Sequence, residues 1–127
     1  MGEEKMRGIV FVAHGSKKAS SNDEVLALVE RLNAKMAPGK ADITAAFLEF
    51  AQPDIPQAVK AKIDAKCTRI DIYPYFLNTG KHVGTDIPQI IEELKKLYPD
   101  TAFRILPHFG SSMSLADIIL NDLEGLA

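Results

Sequence analysis

Residues 69–97 read RIDIYPYFLNTGKHVGTDIPQIIEELKKL, and this stretch decides the fold. It opens on a β-branched and aromatic run, Arg69–Phe76, that reads as a strand. Pro74 lies near the end of that run, where a missing ladder hydrogen bond costs least. It closes on Asp86–Leu97, where Ile87, Ile90, Ile91, Leu94 and Leu97 recur at helical spacing. Pro88 is compatible with the first turn of that helix. Between the two lies a polar, glycine-containing loop, Leu77–Thr85. Strand, loop and helix make one βα unit.

The same unit recurs along the chain. Arg7–Ala13 (RGIVFVA) reads as a buried strand, followed by a helix over Asn22–Met36 that Ser20, Ser21 or Asn22 could cap. Ala41–Leu48 is a second strand, with a helix over Asp54–Lys66. Ala102–Leu106 and Leu115–Leu126 form the last strand and helix. Four βα units in succession predict an α/β domain spanning residues 1–127, with a core over 7–126. The expected architecture is a four-stranded parallel sheet with helices on both faces, a flavodoxin-like or Rossmann-like three-layer sandwich.

Bulk properties narrow the function. The chain has 127 residues, 46% hydrophobic, enough for one domain with a real core. Its net charge of -2 argues against a general nucleic-acid binder. The apolar run at Gly8–Ala13 is too short for a signal segment or a membrane helix, so the expected location is cytoplasmic, with no membrane partner. Cys67 is the single cysteine; it excludes an intramolecular disulfide and reads as an inert, buried thiol.

Parallel sheets bind ligands at the carboxyl ends of their strands. All three histidines, His14, His82 and His108, fall in strand-end loops. Imidazole is the commonest metal ligand and accepts a proton near neutral pH, and a carboxylate such as Glu49 can join it in either role. There is no HxH, HExxH or CxxC, so local spacing alone does not define a metal site. GxSxG, GxxxxGK[ST] and GxGxxG are also absent, which removes the nucleophile elbow, the P-loop and the dinucleotide fingerprint. A phosphate-binding domain using loop amides at helix N-termini stays open on this reading.

Read together, GIVFVAHGS (8–16), AAFLEFAQPDIPQAV (45–59), IDIYPYFLNTGKHVGTDIP (70–88) and FRILPHFG (103–110) resemble the short CbiX-type sirohydrochlorin chelatases of the class II chelatase group. The third block is the most specific, and the resemblance runs from about Arg7 to the end. It implies a lyase-type metal chelatase that inserts a divalent ion into sirohydrochlorin. Co2+, for cobalamin biosynthesis, is favoured; Fe2+, for sirohaem, and Ni2+ are the alternatives. A metal or tetrapyrrole carrier without catalysis is a further reading. No permanently bound cofactor is implied, because the metal is a substrate.

The resemblance also assigns residues. His14 and His82 match the family's metal-binding, catalytic histidines, and Glu49 its assisting acid. Ser16, Lys17, Lys18, Gly80 and Lys81 flank them as candidate contacts to the substrate's carboxylates. Lys17 stands where relatives often have Arg, which keeps the charge and loses the bidentate fork. No role carries over to His108. Phe50, Phe76 and Leu77 are candidates for an apolar floor, or else ordinary packing at strand ends. Larger members of the group pair two such α/β halves around the substrate, so a C2 homodimer is expected here.

Overall fold

Strand β1, Met6–Ala13, lies inside a fully parallel sheet of order β2-β1-β3-β4, seen in a computed structural model that describes residues 6–125. The others are β2 (Asp42–Phe47), β3 (Cys67–Pro74) and β4 (Ala102–Ile105). Helices α1 (Ala19–Lys35), α2 (Ile55–Asp64), α3 (Ile87–Leu97) and α4 (Leu115–Gly125) alternate with them.

The central strand β1 is apolar on both faces because helices pack on each side of it. Val10, Val12, Ala46, Ile70 and Ile72 point to one side, where Ile55, Ala58 and Val59 of α2 and Ile87, Ile91 and Leu94 of α3 meet them. Ile9, Phe11, Ala13, Ile43, Ala45 and Phe47 point to the other, against Val29 and the stripe Val25, Leu28, Leu32 and Met36 of α1. The expected four-stranded sheet with helices on both faces is what forms. Cys67 is buried, and desolvation pushes its thiol up from the usual range.

Three details depart from expectation. Helix α1 begins three residues early, at Ala19, and its N-cap Lys18 gives no side-chain cap. Asn22 instead reaches back to the preceding loop, where its amide bonds both Ser16 N–H (2.9 Å) and Ser16 C=O (2.8 Å). Second, the expected loop Leu77–Thr85 is shorter than the sequence suggests. His82–Asp86 forms a π-helical turn that runs straight into α3, so His82 sits on a helical turn and not in open loop. Third, α4 does not close the sheet. Every residue from Ala116 to Gly125 is exposed, and α4 has no buried residue.

A candidate metal centre at the carboxyl edge of the sheet

The parallel ladder between β1 and β2 carries on past the strand ends. Leu48 N–H donates to Ala13 C=O (3.1 Å) and Glu49 N–H to His14 C=O (2.9 Å). Side-by-side strands therefore deliver His14 and Glu49 side by side. Gly15 makes the turn possible. Its φ is +93°, and a Cβ there would sit 1.8 Å from Glu49 O, so only glycine lets the loops approach this closely. Phe50, at φ +66°, completes the turn on the other side of Glu49.

His14 Nε2 lies 3.0 Å from Glu49 Oε2, and its Nδ1 lies 3.0 Å from Gly15 C=O. Both ring nitrogens thus face acceptors. With Nδ1–H donated to the carbonyl, a proton or a metal cation between Nε2 and the carboxylate satisfies both groups. His82 comes from the far side of the site, its ring centroid 4.8 Å from that of His14. His82 Nδ1 donates to Asp86 Oδ2 at 2.8 Å, four residues on in the π-turn, which leaves Nε2 as the free lone pair. Phe76 backs this ring at 6.1 Å between centroids.

One ligand atom each from His14, Glu49 and His82 lie within 4.8 Å of one another. Two imidazoles and a carboxylate within that span can converge on one first-row divalent ion. The three come from three different strand ends, which is why no local motif announces them. Asp86 escaped the sequence reading, although the i, i+4 spacing from His82 was legible. The signal was hidden by the expectation of a loop there.

The other sequence candidates divide. Lys17, Lys18 and Lys81 are exposed beside the site, and Lys81 lines a depression of about 440 Å3 with Glu49, His82 and Asp86. Lys17 Nζ stands 5.2 Å above the Phe50 ring, a cation–π distance. Ser16 is turned to its own loop, its Oγ accepting from Lys18 N–H at 3.0 Å. Gly80 is exposed, and its carbonyl accepts from Gly84 N–H. Phe50 and Leu77 are exposed at 55% and 64%, while Phe76 packs against the core. His108 lies outside the three-residue group and caps a short turn, Phe109–Ser111.

The parallel sheet with its helices defines an α/β protein of the doubly wound class, with two histidines and a carboxylate grouped at the carboxyl edge. Its family follows from likeness to known proteins. The CbiX family model matches residues 8–126, and the chain belongs to that family. It is 31% identical over 119 residues to a sirohydrochlorin ferrochelatase of Priestia megaterium, covering 94% of this chain and 44% of that protein. It is 35% identical over 86 residues to a sirohydrochlorin cobaltochelatase of Methanocaldococcus jannaschii, covering 68% and 59%. The chain spans about half the length of the curated relatives it matches. The crystal structure of a CbiX protein from Marinobacter aquaeolei VT8 superposes with a TM-score of 0.74 at 25% identity, covering 94% of this chain and 98% of that one. SirB from Bacillus subtilis subspecies spizizenii, solved with cobalt, shares the fold at a TM-score of 0.83, with 96% of this chain matching 51% of SirB.

Proposed function

We propose that this protein is a sirohydrochlorin chelatase, using His14, Glu49 and His82 to receive a divalent metal and pass it to the macrocycle. The observation that carries this reading is the close grouping of those three ligand groups at the carboxyl edge of the sheet. Insertion replaces two pyrrole N–H protons by one M2+, so the site must strip water from the ion and take up two protons. Few and exposed ligands suit a metal that is handed on, where a closed four-ligand cage would retain it. Glu49 and the imidazoles are the proton acceptors within reach. Lys17, Lys18 and Lys81 are assigned to the substrate's carboxylates, and the exposed Phe50 and Leu77 to its ring.

Cobalt(II) is our preferred metal. In support, the cobaltochelatases of Methanocaldococcus jannaschii and Methanococcus maripaludis are 35% and 34% identical over 86 residues. Iron(II) is the alternative, since ferrochelatases match over a longer span and an N/O site accepts both ions. Anaerobic insertion rates measured with each metal in parallel decide between them. A larger rate with iron at equal free metal would reverse the preference.

The ferrochelatase of Priestia megaterium, of which 119 residues are 44%, is about twice as long as this chain; a second α/β unit would let this fold close over a macrocycle, and we assign that role to a second copy in a C2 homodimer. No helix among the described residues is long and apolar enough to cross a membrane, and we place the reaction in the cytoplasm.

A further inference from the structure

His14 is exposed, so packing does not hold its ring, and its aim comes from the turn that carries it. Its Nδ1 lies 3.0 Å from Gly15 C=O. That carbonyl belongs to the Gly15–Ser16 peptide, and the N–H of the same planar unit is that of Ser16. Asn22 Oδ1 accepts from this N–H at 2.9 Å. Asn22 Nδ2 donates in turn to Ser16 C=O at 2.8 Å. One side-chain amide grips both backbone groups of Ser16, and the first grip fixes the peptide plane whose carbonyl faces the histidine.

The residue type and its place suit this task. Asparagine offers an acceptor and a donor in one plane; aspartate offers acceptors alone and an aliphatic side chain offers neither. Asn22 stands near the start of α1, which Val25, Leu28, Val29 and Leu32 seat on the sheet. Asparagine is a weak helix former because its amide seeks backbone partners outside the helix, and here it has found them in the His14 loop. A rigid element therefore sets the aim of an exposed ring.

The contacts form a series, from His14 Nδ1–H to Gly15 C=O and from Ser16 N–H to Asn22 Oδ1. Hydrogen bonds linked through one amide polarise and strengthen each other. The series favours a ring with its proton on Nδ1 and its lone pair on Nε2, the nitrogen that faces Glu49 Oε2 at 3.0 Å. Asp86 does the same for His82 by a direct contact at 2.8 Å. We propose that Asn22 is a positioning residue for the metal site: through the Gly15–Ser16 peptide it holds His14 in the tautomer and orientation that turn Nε2 toward the ion. The inference rests on the reading of His14 as a metal ligand and extends it to a side chain outside the ligand group.

The test is Co2+ binding by titration calorimetry to wild type, Asn22→Ala, Asn22→Asp and His14→Ala, with denaturant stability measured beside it. Asn22→Ala removes the acceptor from Ser16 N–H and should weaken binding about tenfold, the low end for a group that supports a ligating histidine. Asn22→Asp keeps that acceptor and loses only the donor to Ser16 C=O, so it should restore most of the affinity. High ionic strength screens the charge it adds. A role confined to tying the loop to α1 would lower the stability of both variants and leave the affinity of the folded proteins alone. Unchanged affinity in folded Asn22→Ala, or an equal loss in Asn22→Asp, overturns the proposal. If His14→Ala binds as tightly as wild type, the ligand reading falls and this inference with it; if His14→Ala loses affinity and Asn22→Ala does not, this inference alone falls. Nitrogen NMR of the unmodified protein loaded with Zn2+ gives an answer even if Asn22→Ala fails to fold. The His14 ring must then carry its proton on Nδ1 and the metal on Nε2, with the Ser16 amide protected from exchange. Metal on Nδ1, or an unprotected Ser16 amide, overturns the proposal.

Discussion

His82 Nδ1 donates to Asp86 Oδ2 at 2.8 Å across a single π-helical turn. A carboxylate behind a histidine fixes the ring's tautomer and orientation and makes its other nitrogen a better ligand. On the function proposed above, this pair would present His82 Nε2 to the metal.

The first prediction concerns that carboxylate. Asp86→Ala should weaken Co2+ binding by about 10–100-fold while leaving the far-ultraviolet circular dichroism unchanged. Titration calorimetry on the variant checks it. Affinity equal to that of the wild type would show that the ring needs no support.

Glu49→Gln tests whether the Glu49 carboxylate takes part in insertion. The carboxamide keeps the shape and loses the charge that faces His14 Nε2. If Glu49 ligates the metal or accepts a pyrrole proton, the whole pH profile of insertion should fall in height with little shift. A profile unchanged in height and position would remove Glu49 from the site.

Gly15→Ala tests the close approach of the two loops. The new Cβ meets Glu49 O, and the positive φ disfavours any side chain. The expected cost is about 1–3 kcal/mol of stability, read from denaturant titration. Insertion should fall with it, because the His14–Glu49 pairing depends on this turn. Unchanged stability and rate would mean that the loops reach the same geometry without glycine.

Asp71 gives a pH-dependent stability far from the site. Burial works to raise its carboxyl, but the guanidiniums of Arg104 and Arg7 outweigh that and hold it below the usual range. A depressed folded-state value means stability that is present above the unfolded value of about 3.9 and lost as pH falls through the folded one. Asp71→Asn should cost about 1.5–3 kcal/mol at pH 7, the range for hydrogen bonds to a charged group. The difference from wild type should shrink as the pH drops below about 4. A gap that stays constant into acid would contradict the ion-pair account.

Periodicity identified the four βα units; in the first three, strand and helix both bury a regular apolar pattern, as with Ile70 and Ile72 on β3 and Ile87, Ile91 and Leu94 on α3. It also placed His14, Glu49 and His82 at one edge of the sheet, since parallel strands put their carboxyl ends together. What it could not supply was depth and aim. The π-turn that pairs His82 with Asp86 has no distinct pattern, and the side-by-side delivery of His14 and Glu49 depends on strand register. The position of α4 was hidden for a different reason. Its Leu115, Ile119 and Leu123 pattern states that a surface must cover it and says nothing of which chain provides that surface.

The most direct measurement is anaerobic insertion of Co2+ into sirohydrochlorin, followed by the change in the tetrapyrrole's visible spectrum, for wild type beside His14→Ala, His82→Ala and His108→Ala. Sequential histidine loss should cost little packing, since His14 is exposed and His82 half-buried. The account predicts rapid metallation by wild type, near-background rates for the first two variants with dichroism unchanged, and a milder loss for the third. Wild-type rates in a folded His82→Ala protein, or no acceleration by the wild type itself, would contradict it.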